Sequence, residues 1–163
     1  IASCLVGSEM CIRDRFMIYD VVEKFERDLI ERTKLEKIDW KDLRALKENE
    51  FPDIPLYIKE NLPQNEFTKV ELGNSFYFKH KNGIIALLYI DNESGKDGSH
   101  SRNFILLVQI KEHSPVFSYD KFQENFESLY LAILNYFNRG LNLPSDLTNF
   151  LSWADDQQDI PKD

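Results

Sequence analysis

Cysteine is almost absent from this sequence. Its two cysteines, Cys4 and Cys11, both lie within residues 1–15, so residues 16–163 contain none. This absence excludes a disulfide framework, a cysteine zinc site and a thiol nucleophile from that part of the chain. Chains without cysteine are typical of reducing compartments, where disulfides are rare, and we therefore expect a cytoplasmic protein.

Long apolar runs and catalytic motifs are missing as well. No stretch approaches the ~20 apolar residues that cross a bilayer, so no integral membrane protein is expected. The three histidines do not occur at a paired-ligand spacing such as His-x-x-x-His, and no Gly-x-Ser-x-Gly motif is present. We therefore predict no metal, no cofactor and no catalytic residue, which favours a protein that is not an enzyme.

The charge is strongly of one sign. Acidic residues outnumber basic ones by 28 to 20, which gives a formal net charge of −8. Nucleic acids and anionic membranes repel a protein of this sign, so neither is expected as a partner. A basic protein would be attracted, although the simpler interpretation is that the charge keeps the protein soluble. The composition indicates no oligomeric state.

The first residues are unlike the remainder of the chain. Residues 5–15, with the sequence LVGSEMCIRDR, resemble a translated sequencing adapter. A signal peptide would need an apolar core of ~7–15 residues behind a basic region, and this segment has neither. We therefore set residues 1–15 aside as non-native, and expect the natural chain to start at Met17 or to enter, truncated, at Phe16.

Hydrophobic spacing predicts the first helix. Apolar residues recur every three or four positions at Ile18, Val21, Val22, Phe25, Leu29 and Ile30. The intervening positions are charged, so the helix is predicted to have one buried stripe and one charged face that includes Glu26.

Two weaker elements follow this helix. Asp39 is predicted to cap a short second helix that buries Trp40, Leu43 and Leu46. Glu48–Pro63 is predicted to be a connection without long regular structure, because its three prolines oppose it.

The middle of the chain changes to a period of two, which is typical of strands. Strands are predicted at Thr68–Leu72, Phe76–His80, Ile84–Ile90 and Phe104–Ile110. The pair Asn82-Gly83 predicts a tight hairpin turn between the second and third of them. Because no helix separates these strands, an antiparallel meander is expected.

A long apolar helical face then runs from Phe122 to Phe137 and should end at Gly140. The predicted fold is therefore α+β: an antiparallel β-meander of three to five strands packed by an N-terminal helix and a long amphipathic C-terminal helix. We expect residues 16–153 to form a single domain, with a last helical segment ending at Trp153. Residues 154–163 are predicted to be an acidic, frayed tail.

The loop from Asp91 to Arg102 is the segment richest in reactive groups. Its candidate ligand- or partner-binding residues are Asp91, Glu93, Asp97, His100 and Arg102. A calcium loop counted from Asp91 would need glycine and glutamate where Lys96 and Arg102 stand, and no phosphate-loop motif is present. Two interpretations stay open: a solvated loop, which is the simpler one, or a binding site.

One resemblance covers most of Met17–Gly140. The segment Leu29–Trp40 (LIERTKLEKIDW), the following strands, the loop Ser94–Gly98 (SGKDG) and the aromatic closing helix resemble small uncharacterised bacterial proteins of mobile elements. That resemblance implies an α+β fold and no catalytic residues.

These observations together favour a non-enzymatic protein-binding module, such as a small acidic bacterial regulator, an immunity-like protein or an accessory protein. The alternative is a small-ligand-binding protein or an enzyme that uses the Asp91–Arg102 loop. An acidic mimic of nucleic acid is a third option, and it requires carboxylates along one face.

Overall fold

The structure, a computed structural model, describes residues 20–47, 49–62, 64–95 and 97–139. Within them it confirms the α+β class, with three α-helices and a six-stranded antiparallel sheet. The elements are α1 (20–34), β1 (Lys41–Asp42), α2 (Asp53–Asn61), β2 (Thr68–Val70), β3 (Phe76–His80), β4 (Gly83–Glu93), β5 (His100–Gln109), β6 (Phe117–Tyr119) and α3 (Gln123–Phe137). The adapter-like segment, the stop at Gly140, the helical segment ending at Trp153 and the acidic tail lie outside the described residues.

The sheet is built around β4, its longest strand. Its order is β1-β3-β4-β5-β6, and β2 pairs with β4 beyond the end of β3. The strands β3 to β6 follow one another as the predicted meander. Six strands form where three to five were expected, because β1 and β6 are too short to carry a periodic pattern.

Helices cover both faces of this sheet. Side chains at odd positions of β4, such as Leu87, pack under α1 and α3, and we call this side the α1/α3 face. Even positions, such as Ala86 and Leu88, pack with Ile54 of α2 on the α2 face. Burial on both sides explains why residues 84–90 are continuously apolar, since a strand that exposed one face would alternate.

The helices α1 and α3 lie side by side and run in the same direction. Asn125, near the start of α3, donates to Glu26 of α1 at 2.9 Å. One turn or more further along both helices, Thr33 and Tyr136 line the same cleft. The end of α1 is tied to the sheet because the Trp40 indole donates to Thr33 Oγ1 at 2.9 Å.

The short helix predicted after Asp39 does not form. Trp40 leads instead into β1, whose residue Lys41 pairs with Tyr77 of β3. The cap is Asp42, whose Oδ1 accepts from the Arg44 N–H at 2.9 Å and starts a 3₁₀ turn at Leu43–Ala45. Pairing with β3 satisfies the main chain here, so the extended form is preferred.

The prediction that Glu48–Pro63 is a connection without long regular structure was wrong, because α2 lies within this segment. Pro52 is the N-cap of this helix and Pro55 lies in its first turn. The first N–H groups of a helix have no intrahelical acceptor, so proline is tolerated there. Ile54 is fully buried and anchors α2 to the sheet.

The β3–β4 hairpin forms as expected, but its turn is displaced by one residue. His80 pairs with Gly83, so the turn residues are Lys81 and Asn82 rather than Asn82-Gly83. Lys81 adopts a φ of 54°. Gly83 serves another purpose, since a Cβ there would lie 2.7 Å from the Gln109 carbonyl oxygen. The two main chains approach too closely for any side chain.

The predicted apolar face of α3 is confirmed in its centre, where Phe126, Leu129 and Ile133 are fully buried. Phe122 differs, because it precedes the helix with a φ of 58° and is exposed. None of the helices in the described residues combines the length and the apolarity needed to cross a membrane.

Candidate functional site

Most of the predicted loop Asp91–Arg102 belongs to two strands. Asp91 pairs with Arg102 and Glu93 pairs with His100, which leaves Ser94–Ser99 as the connection. Asp91 and Glu93 are an even number of residues from Leu87 in β4, and His100 and Arg102 are an even number from Phe104 in β5. Side chains alternate between the two faces of a sheet, so all four lie on the α1/α3 face with Leu87 and Phe104. The structure therefore brings four of the five candidate residues together, in two adjacent cross-strand rows.

Three of these four residues, His100, Asp91 and Arg102, make polar side-chain contacts on an open surface. His100 Nδ1 lies 3.1 Å from Asp91 Oδ2, and Arg102 Nη2 lies 3.2 Å from Glu127 Oε1 of α3. The side chains of His100 and Arg102 are 60% and 55% exposed. Exposed pairs of this kind contribute little stability, at most about 1 kcal/mol. Both side chains are therefore accessible to solvent.

Asp97, the fifth candidate, is not part of this group. Its Oδ1 accepts from the Ser99 hydroxyl at 2.8 Å and from the Ser99 N–H at 3.0 Å. The hydrogen bond from the Ser99 hydroxyl, helped by the one from the Ser99 N–H, lowers the pKa of Asp97 below its usual range. Asp97 thus shapes the connection. Across the described ranges, no group of three or more His, Cys, Asp or Glu side chains is placed to hold a metal ion.

The outer edge of β5 is only partly covered. β6 pairs with Leu106–Val108, and next to this Gln123 binds the main chain of Phe104 with both ends of its amide. Since main-chain groups alternate in direction along a strand, those of His100 and Arg102 point to the same outer side. Among the described residues no hydrogen bond reaches them there. We call this segment, residues 100–103, the open β5 edge.

A cleft of about 320 Å³ adjoins the open β5 edge. Its lining includes Thr68, Ile90, Asn92, Asn103, Asp120 and Gln123. Asp120 is the charged residue among these, so the cleft suits a cationic side chain. The pattern of the sequence did not predict this cleft, because its walls come from three strands and the start of α3.

A second cleft, of about 140 Å³, lies between α1 and the connection from β6 to α3. We call it the Glu26 cleft; Val22 and Glu26 line one side and residues 118–122 the other. The predicted charged face of α1 was wrong at this point, because Glu26 is only 1% exposed whereas Val21 is 66% exposed. Desolvation by burial raises the pKa of Glu26, against the hydrogen bond from Asn125, which lowers it.

The sequence held one signal for this burial. Val22, Glu26, Leu29 and Thr33 follow one another at intervals of three and four, and all four face inward. Glu26 therefore occupies a place in a continuous inward stripe. The predicted stripe was right at Val22 and Leu29, but it included the exposed residues Val21 and Phe25 and left out Glu26.

Comparison with known proteins gave no relatives: no family model, no curated sequence and no solved structure matched this chain significantly.

Proposed function

We propose that the protein is a non-enzymatic protein-binding module that holds an extended segment of a basic partner along the open β5 edge. One observation carries the proposal: the main-chain N–H and C=O groups of His100 and Arg102 point to the outer side of β5, and they lack partners in the described chain. Sheet edges of this kind bind extended peptides by adding a strand.

Gln123 supports this proposal by its position. Its side-chain amide bonds to the N–H and C=O of Phe104 as the peptide group of a neighbouring strand would. The edge is therefore closed as far as Phe104 and open from Asn103 to His100. A partner strand would continue the sheet where the amide of Gln123 ends.

The side chains beside the edge favour a basic partner. Alternate residues of an added strand would point towards the 320 Å³ cleft, which contains Asp120. A lysine or arginine of the partner would reach this carboxylate, and the net charge of −8 would steer such a partner toward the protein. This edge and the acidic charge support a role as a small accessory or immunity-like protein.

The test starts from a library of random twelve-residue peptides displayed on phage and selected against the immobilised chain. Binding of the recovered peptides is then measured by fluorescence anisotropy. Arg102→Pro removes an outward N–H without touching the bonds to β4, and proline is tolerated at such edge positions. Arg102→Ala is the matched control, because it removes the same side chain and keeps the N–H.

We expect Arg102→Pro to weaken binding at least tenfold relative to Arg102→Ala. Asp120→Asn should weaken the binding of lysine- or arginine-containing peptides, whereas Glu124→Gln, at an exposed carboxylate in the first turn of α3, should leave it unchanged. Recovery of no peptide, or of peptides that bind both Arg102 variants equally, would contradict the proposal.

A further inference from the structure

Glu26 is a buried carboxylate with one oxygen left without a donor. Its Oε2 accepts from Asn125 Nδ2 at 2.9 Å. Its Oε1 is buried and receives no hydrogen bond in the described part of the protein. In the ionised form this oxygen has lost its hydration and gained no replacement, so ionisation of Glu26 is costly unless a donor enters.

Glu26 is one of the residues that line the Glu26 cleft. Its volume of about 140 Å³ corresponds to roughly four or five water molecules. Val22, Tyr119 and Phe122 give it largely apolar walls, and Asp120 contributes a second carboxylate. Lys121 also lines the cleft, but it has contacts of its own and does not donate to Glu26 Oε1.

These features define the chemistry of a ligand. An anion would be repelled by two carboxylates, and no group of three or more His, Cys, Asp or Glu side chains is placed to hold a metal ion in the described part of the chain. A group with N–H donors and a positive charge would satisfy Glu26 Oε1, and a short alkyl chain would fill the apolar remainder.

We propose that the Glu26 cleft binds a small primary alkylammonium ion, with its ammonium group on Glu26 and its alkyl group against Val22 and Phe122. The Glu26 cleft and the cleft beside the open β5 edge share the lining residue Asp120, but binding of an ammonium group to Glu26 does not require the open β5 edge. A free amine and the terminus of a lysine side chain share this chemistry, and the size of the cleft favours the free amine.

The experiment is a titration of the full ¹⁵N-labelled chain followed by NMR. The probe is n-butylamine hydrochloride, and the matched probes are n-butanol, sodium butyrate and ammonium chloride at equal ionic strength. We expect saturable shifts of the amides of Val22, Glu26 and residues 118–122 with n-butylammonium. The other three probes should produce shifts at least tenfold weaker at the same concentration.

Three variants locate the binding. Glu26→Gln keeps the side-chain shape and the bond to Asn125 but removes the charge, and it should abolish saturation. Val22→Phe keeps the carboxylate and fills the cleft, and it should block binding as well. Glu23→Gln, which removes a neighbouring half-exposed carboxylate, should bind as the parent does.

Several results would overturn the proposal. Equal binding of n-butanol would show that the carboxylate is not recognised, and equal binding of ammonium chloride would show that the apolar walls are not used. Unchanged binding by Glu26→Gln, in a variant whose spectrum shows it to be folded, would place the amine elsewhere. A failure of peptide binding at the β5 edge has no effect on any of these outcomes.

Discussion

Gln123 pairs with Phe104 as a strand would. Its Oε1 accepts from the Phe104 N–H at 2.7 Å, and its Nε2 donates to the Phe104 carbonyl at 2.8 Å. Its Nε2 also donates to the Asp120 carbonyl at 2.6 Å, so one side chain joins the end of β6, the edge of β5 and the start of α3.

Gln123→Ala should therefore destabilise the protein although alanine is the better helix former. The substitution leaves the part-buried N–H and C=O of Phe104 without partners, and we expect a loss of about 1–2 kcal/mol in the free energy of unfolding. Urea denaturation measures it. The control is Glu124→Ala, one residue along at an exposed position, which should change the stability by less than about 0.5 kcal/mol. Equal effects of the two substitutions would mean that the bonds to Phe104 contribute nothing.

Phe126→Ala tests the packing of α3 on the sheet. Phe126 is 0% exposed and lies in the core of the α1/α3 face, so we expect a loss of about 3–5 kcal/mol. Leu131→Ala, on the same helix but 52% exposed, should cost less than about 1 kcal/mol. Chemical denaturation of both variants gives the comparison, and similar losses would show that α3 is not held by this face.

The sequence predicted best where pairing is local. The strands β3 and β4 have a recognisable apolar pattern in the sequence, and they pair with each other across a short turn. The centre of α3 likewise shows the apolar spacing of a helix. By contrast, buried Glu26 is paired with Asn125, which lies 99 residues further along the chain. The open β5 edge depends on where β6 stops, which no local pattern indicates. Four candidate residues that were predicted to lie in a loop come together because β4 and β5 stay paired as far as Glu93 and His100.

Gly83→Ala should destabilise the β3–β4 hairpin through steric overlap. A Cβ at Gly83 would meet the main-chain oxygens of Ile110 and Gln109, the latter at 2.7 Å, so the end of β5 would have to move. We expect a cost of about 1–3 kcal/mol, measured by thermal or urea denaturation. Gly73→Ala is the matched control, since its nearest neighbour is the flexible Arg44 guanidinium at 3.5 Å. If Gly83→Ala proves as mild as the control, β5 does not approach so closely.

The raised pKa of Glu26 predicts a specific pH dependence of stability. Burial is the main cause of the raised pKa, and the nearby Glu23 charge adds to it. Between the ordinary pKa and the raised one, the unfolded chain releases its proton while the folded chain keeps it. Stability therefore decreases as the pH rises through this interval, and the decrease is complete above the folded pKa.

Glu26→Gln removes this titration, so the stability of the parent relative to this variant should fall as the pH rises above the ordinary glutamate pKa. Urea denaturation of both proteins at each pH measures the difference, in which the titrations of the other groups cancel. Glu31→Gln, at an exposed position on the same helix, is the control and should show no such fall. A relative stability that rises with pH would contradict the raised pKa, because it would mean that the folded chain stabilises the ionised carboxylate of Glu26.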